Sequence, residues 1–437
     1  MTNTVHIRSW LHITQLEDRI TPRAAIEVRN FADWDVTKAN TLPWAINKAN
    51  TDPGADEIVF VWQPGDAAVQ LITSKSTLDI LESVTISGPM VGDSSPLGAR
   101  VVLTGLGAGG ATGYRPFWFS HTIGGAPVSV IRGVDFEDLN SQNMNAGLET
   151  VSPNGQPTDL RGGGAIVVES GLVTTDNCKF ENNRWHFPVV GSDKKDGGGA
   201  VLVGPGGVLT LEDDYARRDS LAVDGATFVG NQADLGGAIA NYGMVNFARA
   251  HFTGNIATNG SPGLGGKGGA IFSQGWMHTL ANPGDSVLSE NKAAVGGSAV
   301  WLETPQTPPG TLSPPVEADF DKFVIRENVG QAVVLIGAKL TLDRSEVNDN
   351  TGVGVFLQVG YNGQKSTLKA TGVQFNGNDA AGGKLAVTIA DPGSLLFTSG
   401  CDFFNNNGVN VAMAVGVFDP AGKGWIDDVN RPSVRML

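Results

Sequence analysis

Cysteine is nearly missing from this chain: Cys178 and Cys401 are the pair in 437 residues. A disulfide-stapled fold is therefore excluded. Basic residues are also scarce, 30 Lys and Arg against 44 Asp and Glu, a net charge of −14. A nucleic-acid binder needs a basic face to meet phosphates, so that partner class is excluded. The acidity disfavours simple electrostatic attraction to an anionic polysaccharide; it is compatible with Ca²⁺ and does not require it. Histidines are few: His6, His12, His121, His186, His251 and His278. None are paired at metal-ligand spacing, so no metal centre is expected and no cofactor other than Ca²⁺ comes into question. No apolar run reaches 18 residues, so no transmembrane helix is expected. No nucleophile elbow appears. Gly263–Gly269, GLGGKGG, lacks the Ser or Thr after its Lys and the helix behind it that a phosphate loop needs, and reads as a flexible loop.

What the chain has in abundance is glycine, 59 residues, about twice the usual share. It recurs in a pattern. Gly236–Ala257, GGAIANYGMVNFARAHFTGNIA, opens on Gly-Gly-Ala-Ile and closes on Phe-x-x-Asn. Similar openings stand at 162–166, 197–201, 268–271 and 296–300. Similar closings end on Asn183, Asn231, Asn255, Asn291, Asn328, Asn350, Asn378 and Asn406. Asn231 and Asn255 are 24 apart, and Asn328 and Asn350 are 22 apart. A period of this length signals a solenoid. Within it lie short alternating runs such as Met244–Phe247 and Lys339–Leu342, which is strand periodicity. No ten-residue amphipathic stretch occurs inside a repeat, and Leu-x-x-Leu-x-Leu does not precede the asparagines. Helical and leucine-rich repeats are thereby excluded. Three short strands per turn give an all-β right-handed parallel β-helix.

In such a coil each residue stacks on its equivalent about 4.8 Å away. Phe180, Phe228, Phe252, Leu288, Ile325, Val347, Phe375 and Phe403 form one inward row. Two residues earlier, Cys178, Ala226, Ala250, Ser286, Phe323, Ser345, Val373 and Cys401 form another. The asparagines form a row at one bend, where Asn tolerates left-handed backbone and its amide bonds along the row; a ligand role for them is the lesser reading. The two cysteines share a row seven coils apart, roughly 34 Å. A disulfide needs Cα atoms within about 7 Å, so both are expected as free, buried thiols.

Along the chain, residues 1–25 read as a targeting segment or mobile tail without a signal-peptide core. Residues 26–60 form an N-terminal cap: a strand at Ile26–Val28, a helix capped by Thr41 with Pro43 in its first turn, and a strand at 58–61. Leu42, Ala45, Ile46 and Ala49 make one apolar helix face that can close the open core end. Residues 61–418 are the β-helix, with weaker coils before 140, and 419–437 are a C-terminal cap or tail.

Gln15–Pro22, QLEDRITP, resembles the LEDR-x-TP segment near the N-terminus of many exported planctomycete proteins. Thr41-Leu42-Pro43-Trp44-Ala45-Ile46, Ala49-Asn50 and Pro53–Phe60 resemble the opening of bacterial β-helix surface proteins. The GGA[IV] and Phe-x-x-Asn repeats are similar to the passenger repeats of chlamydial polymorphic outer-membrane proteins. Together these cover about 26–408. The resemblance implies an extracellular or cell-surface scaffold that is adhesin-like. It departs in one respect: about 30 residues follow 408, too few for a membrane barrel of eight ten-residue strands.

Function should sit in the insertions between strands. One set follows the Asn bend, at 141–161, 186–196 and 257–267. A second, at 212–222, 276–286, 304–317 and 361–366, is expected between middle and last strands and so along one continuous edge. That edge holds Asp213, Asp214, Tyr215, Arg217, Arg218, Trp276 and His278, with Trp301 nearby. Aromatic faces beside carboxylates and guanidiniums suit sugar rings, so Tyr215, Trp276, His278 and Trp301 are the candidate ligand-binding residues. The plainer reading is that Trp276 covers a loop base and the charges are solvated. For an enzyme, glycoside hydrolysis needs two spaced carboxylates, and adjacent Asp213 and Asp214 point apart. Thr175-Asp176-Asn177 faintly resembles one polygalacturonase element, but that family's Gly-His-Gly and Arg-Ile-Lys are missing. Lyase chemistry needs a base beside a neutralised carboxylate, for which Lys195, Arg217 and Arg218 are the candidates. The leading expectation is a non-enzymatic, exported scaffold that presents loops for adhesion or for binding a polysaccharide or cell-surface glycan. The alternative is a lyase or hydrolase acting on an acidic polysaccharide. A third reading is a self-associating filament, which the 26–60 cap opposes at one end.

Overall fold

The computed structural model describes residues 24–436 except 53, 91–94, 97, 106–113, 121–126, 141–159, 186–194, 214–224, 259–264, 282–283, 307–312, 362, 380–384, 392, 407–408 and 414–433. The chain is a right-handed parallel β-helix. Among the described residues every strand pair is parallel, and a full coil contributes a first, a middle and a last strand. In one coil these are Ile239–Asn241, Met244–Phe247 and Ala250–Thr253. The next coil repeats them at Ile271–Ser273, Trp276–Thr279 and Ser286–Ser289. In two coils the first and middle strands run together, as Ile166–Asp176 and Val201–Glu212, with a register irregularity between Val168 and Ser170.

The core is built from stacked rows. Ile72, Leu103 and Phe136 begin one, and Phe180, Phe228, Phe252, Leu288, Ile325, Val347, Phe375 and Phe403 continue it in register. The rings of Phe136, Phe180, Phe228 and Phe252 stack nearly parallel at 4.8, 4.7 and 4.6 Å between centroids. The strand spacing sets this interval, so each Phe buries both faces on its own kind. Cys178 is buried, but Cys401 is half-exposed, contrary to the expectation of two buried thiols. It belongs to the last full coil of this row, where Asp402–Phe404 pairs with Gln374–Asn376.

The asparagines form a buried ladder. Asn255 donates both its backbone N–H (2.9 Å) and its Nδ2 (3.0 Å) to Oδ1 of Asn291. Its Nδ2 also donates to the Phe228 carbonyl at 3.0 Å, and its Oδ1 accepts from Asn231. The same bonds run from Asn183 to Asn406. At the N-terminal end Leu139 occupies the slot and donates its N–H to Asn183 Oδ1. The left-handed residue is not the ladder asparagine, however. It is the residue before it: Asp138, Asn182, Gly230, Gly254, Glu290, Glu327, Asp349, Gly377 and Asn405, with φ between 53° and 65°. Turning the chain one residue earlier leaves the asparagine free to aim its amide along the axis. The Gly-Gly opening has a separate cause. Gly236 is left-handed at φ 59°, and a Cβ on Gly237 would lie 2.1 Å from the Gly269 carbonyl of the next coil.

At the N-terminal end, Ile26–Val28 pairs with Asp56–Phe60. The helix Leu42–Thr51 starts at Thr41, whose side chain accepts from Trp44 N–H at 3.3 Å. It buries Leu42, Pro43, Ala45, Ile46 and Ala49. At the other end Val434–Met436 pairs with Val409–Met413. No helix among the described residues is long and apolar enough to cross a membrane.

The insertions do not share one edge. Trp276–Thr279 is itself a middle strand, not the start of a loop. The 304–316 insertion links the first strand Val300–Glu303 to the middle strand Glu317–Asp321, as 359–366 links Val355–Gln358 to Thr367–Thr371. Residues 213–225 instead lie between a middle and a last strand. The alternation inside Trp276–Thr279 is hidden because an aromatic, Trp276, faces outward while a polar residue, Thr279, takes the place of the inward Phe247.

Candidate functional site

The middle strands pair coil upon coil, so their outward side chains also form rows. One row runs Glu57, Thr85, Val130, Thr174, Thr210, Asn246, His278, Asp319, Thr341, Lys369 and Phe397. Beside it runs an apolar row of Val128, Leu172, Val208, Met244 and Trp276. Thr174 and Thr210 are buried, but from Asn246 onward the face is open.

Trp276 is 44% exposed and stands on this open part. Its ring meets His278 edge-on, with centroids 5.9 Å apart and planes at 71°. His278 Nδ1 lies 3.2 Å from Asp319 Oδ2 on the next coil. The hydrogen bond from His278 holds the Asp319 carboxyl below the usual range, helped by Thr341 and Lys369 farther along the row. Lys339 and Glu317 pair at 2.8 Å on the flank. An exposed indole, an imidazole, a carboxylate, a hydroxyl and an ammonium thus stand on rigid strands over neighbouring coils. Such a surface can stack an apolar ring face and bond to hydroxyls in the same footprint.

The other candidate residues are dispersed. Asp214, Tyr215, Arg217 and Arg218 lie outside the described residues. Asp213 has Arg249 at 3.8 Å. Lys195 opens the short strand Lys195–Gly197, which pairs with Leu160–Gly162 away from the middle strands. Trp301 is 8% exposed on the outward side of the first strands, packed with Phe272, Val334 and Ile336. Its indole N–H donates to Glu303 at 2.8 Å, and Lys267 lies over its ring while bonding the same carboxylate. It is packed among the first strands and does not stand on the open face with Trp276 and His278. Among the described residues, no group of three or more His, Cys, Asp and Glu is placed to hold a metal ion.

Two clusters escaped the sequence because each joins residues of the weak coils before 140 to residues of the regular coils after 162, which only strand register brings together. On the outward side of the last strands, Arg100 binds Asp135 (2.6 and 2.8 Å) and Glu137 (2.7 Å), with Lys179 beside Glu137 and Glu181. Burial raises the Glu137 carboxyl. These charges answer one another. On the first strands, Ser120 donates to Asp79 Oδ1 at 2.6 Å, and Trp118 Nε1 donates to Glu169 at 2.8 Å. Burial, with Glu169 nearby, pushes the Asp79 carboxyl up to about 6. Its Oδ2 is buried without a hydrogen-bond partner among the described residues.

No protein-family model matches this chain, and no curated protein does. Among solved structures, the mannuronan C-5 epimerase AlgE6 A-module from Azotobacter vinelandii aligns at 11% identity and a TM-score of 0.39. The alignment covers 85% of this chain and 92% of that one. A likeness this loose carries no argument about what the chain does.

Proposed function

We propose that the protein is an exported, non-enzymatic scaffold that binds an extended glycan across the outward face of its middle strands. The observation that carries this reading is the exposed Trp276, set edge-on to His278, with the row Asn246–Lys369 beside it. Aromatic plates take the apolar faces of sugar rings, and the polar row takes hydroxyls; binding to a chain molecule accumulates from successive coils. A carbohydrate array probed with the full chain tests it. Trp276→Ala is expected to weaken binding about tenfold or more, in keeping with loss of a central aromatic anchor. Equal binding by the variant overturns the reading.

A second reading, chemistry on such a polymer, is favoured by one observation: the Asp79 carboxyl at about 6 beside Glu169. A carboxyl tuned toward neutrality suits a general acid. A turnover screen on uronate-containing and neutral polysaccharides, with and without Ca²⁺, separates the two. Product formation abolished by Asp79→Asn supports this reading.

A further inference from the structure

The same outward face has a cleft at its N-terminal end, well separated from Trp276 by the buried Thr174 and Thr210. Its volume is about 300 Å³, and it is lined by Glu57, Phe60, Trp62, Ser87, Met90 and Arg132, among others. Strand register explains how these meet. Val59, Ser87 and Arg132 are outward neighbours on successive coils, and Glu57 stands two residues before Val59. Trp62 is fixed by its Nε1 bond to the Ala67 carbonyl (3.0 Å) and by Phe31 at 5.4 Å. One wall is therefore a held aromatic surface.

The chemistry of the cleft centres on Arg132. Its guanidinium makes no hydrogen bond or ion pair among the described residues, and its Nε is buried without a partner. Asp176, its register neighbour on the next coil, is not within ion-pair distance. Glu57 is also short of it; that carboxylate instead accepts from Ser87 Oγ at 3.5 Å. Elsewhere on the molecule arginines such as Arg100 and Arg344 hold carboxylates. A buried guanidinium donor left unmatched is costly unless a ligand completes it, and its planar fork matches a carboxylate. Glu57 and Ser87, on the coils before Arg132, supply acceptors for hydroxyls. The aromatic wall supplies a plate for a ring.

We propose that this cleft is a binding site for a single sugar-acid ring, its carboxylate on Arg132, its hydroxyls toward Glu57 and Ser87, and its apolar face on Trp62. The choice of a sugar acid over other ring acids rests on the glycan reading of the face; the choice of a carboxylate does not. The test is calorimetric titration of the full chain with glucuronate, glucose and cyclohexanecarboxylate. Glucuronate is expected to bind at least about tenfold more tightly than glucose, as a charged fork contact requires. Arg132→Gln should lose the preference for the acid, and Glu57→Gln should weaken glucuronate while leaving cyclohexanecarboxylate unchanged. Trp276→Ala should alter none of these, which keeps failure of the open face distinct from failure of the cleft. Equal binding of glucuronate and glucose overturns the carboxylate site. Cyclohexanecarboxylate binding as tightly as glucuronate overturns the sugar and keeps the carboxylate. If Arg132→Gln fails to fold, the Arg132 Nε–H resonance of the native chain reads the same contact: it shifts on glucuronate addition, and an unmoved signal overturns the assignment.

Discussion

At the residue scale the ladder asparagines carry the most concentrated polar bonding in the molecule. Each fully buried amide answers a backbone N–H, a carbonyl and two neighbouring amides, as at Asn255. Asn255→Ala orphans the Asn231 donors and the Phe228 carbonyl, a loss of about 1–3 kcal/mol or more. Denaturant unfolding measures it, and an unchanged midpoint contradicts the ladder. Phe252→Ala removes a ring stacked on Phe228 and is expected to cost about 3–5 kcal/mol by the same assay. Asp79 gives a prediction of different sign. Its folded carboxyl titrates near 6, above the ordinary 3.8, so the folded state binds the proton more tightly. This contribution is complete below pH 4 and is lost as pH rises through 6. Asp79→Asn should therefore gain melting temperature over the native chain as pH rises from 4 to 7, and a gap that stays constant contradicts it.

At the element scale the coil strands and their bends behave differently. The bends are legible in the sequence because stacking demands like residues at like positions. Phe-x-x-Asn places the inward ring and the ladder amide, and the residue between them takes the left-handed turn. Asn182, Gly230 and Asn405 fit that turn by type, whereas Glu290 and Glu327 do not reveal it. Outward strand residues were harder to read. Trp276 and His278 look like loop chemistry in a line of sequence, yet they are the outward half of a strand whose inward member is Met277. Insertion position was illegible for the same reason: a corner between first and middle strands and one between middle and last strands use similar polar residues. The ends of the 304–316 insertion are already joined, Val316 N–H donating to Thr304 Oγ1 at 3.3 Å and Thr304 to the Gly337 carbonyl at 2.6 Å. Deleting 305–315 and bridging with two glycines should leave the melting temperature within a few degrees, because closing short-ended loops costs little. Collapse of the fold shows instead that the insertion supports the coils.

At the scale of the whole molecule, coil stacking turns single side chains into long rows, and the rows give the outward face its function. Arg132 and Glu57 could not be joined from sequence, since 75 positions separate them and the coils between have weak closings. Strand register alone brings them to one cleft. The central claim is that the open face of the middle strands receives a glycan. Hydrogen exchange on the full chain, with and without the best array ligand, tests it most directly. The account predicts slowed exchange in Met244–Phe247, Trp276–Thr279 and Glu317–Asp321, with the last strands Ala250–Thr253 and Ser286–Ser289 unchanged. Protection confined to the last strands, or to none of the coils, contradicts it.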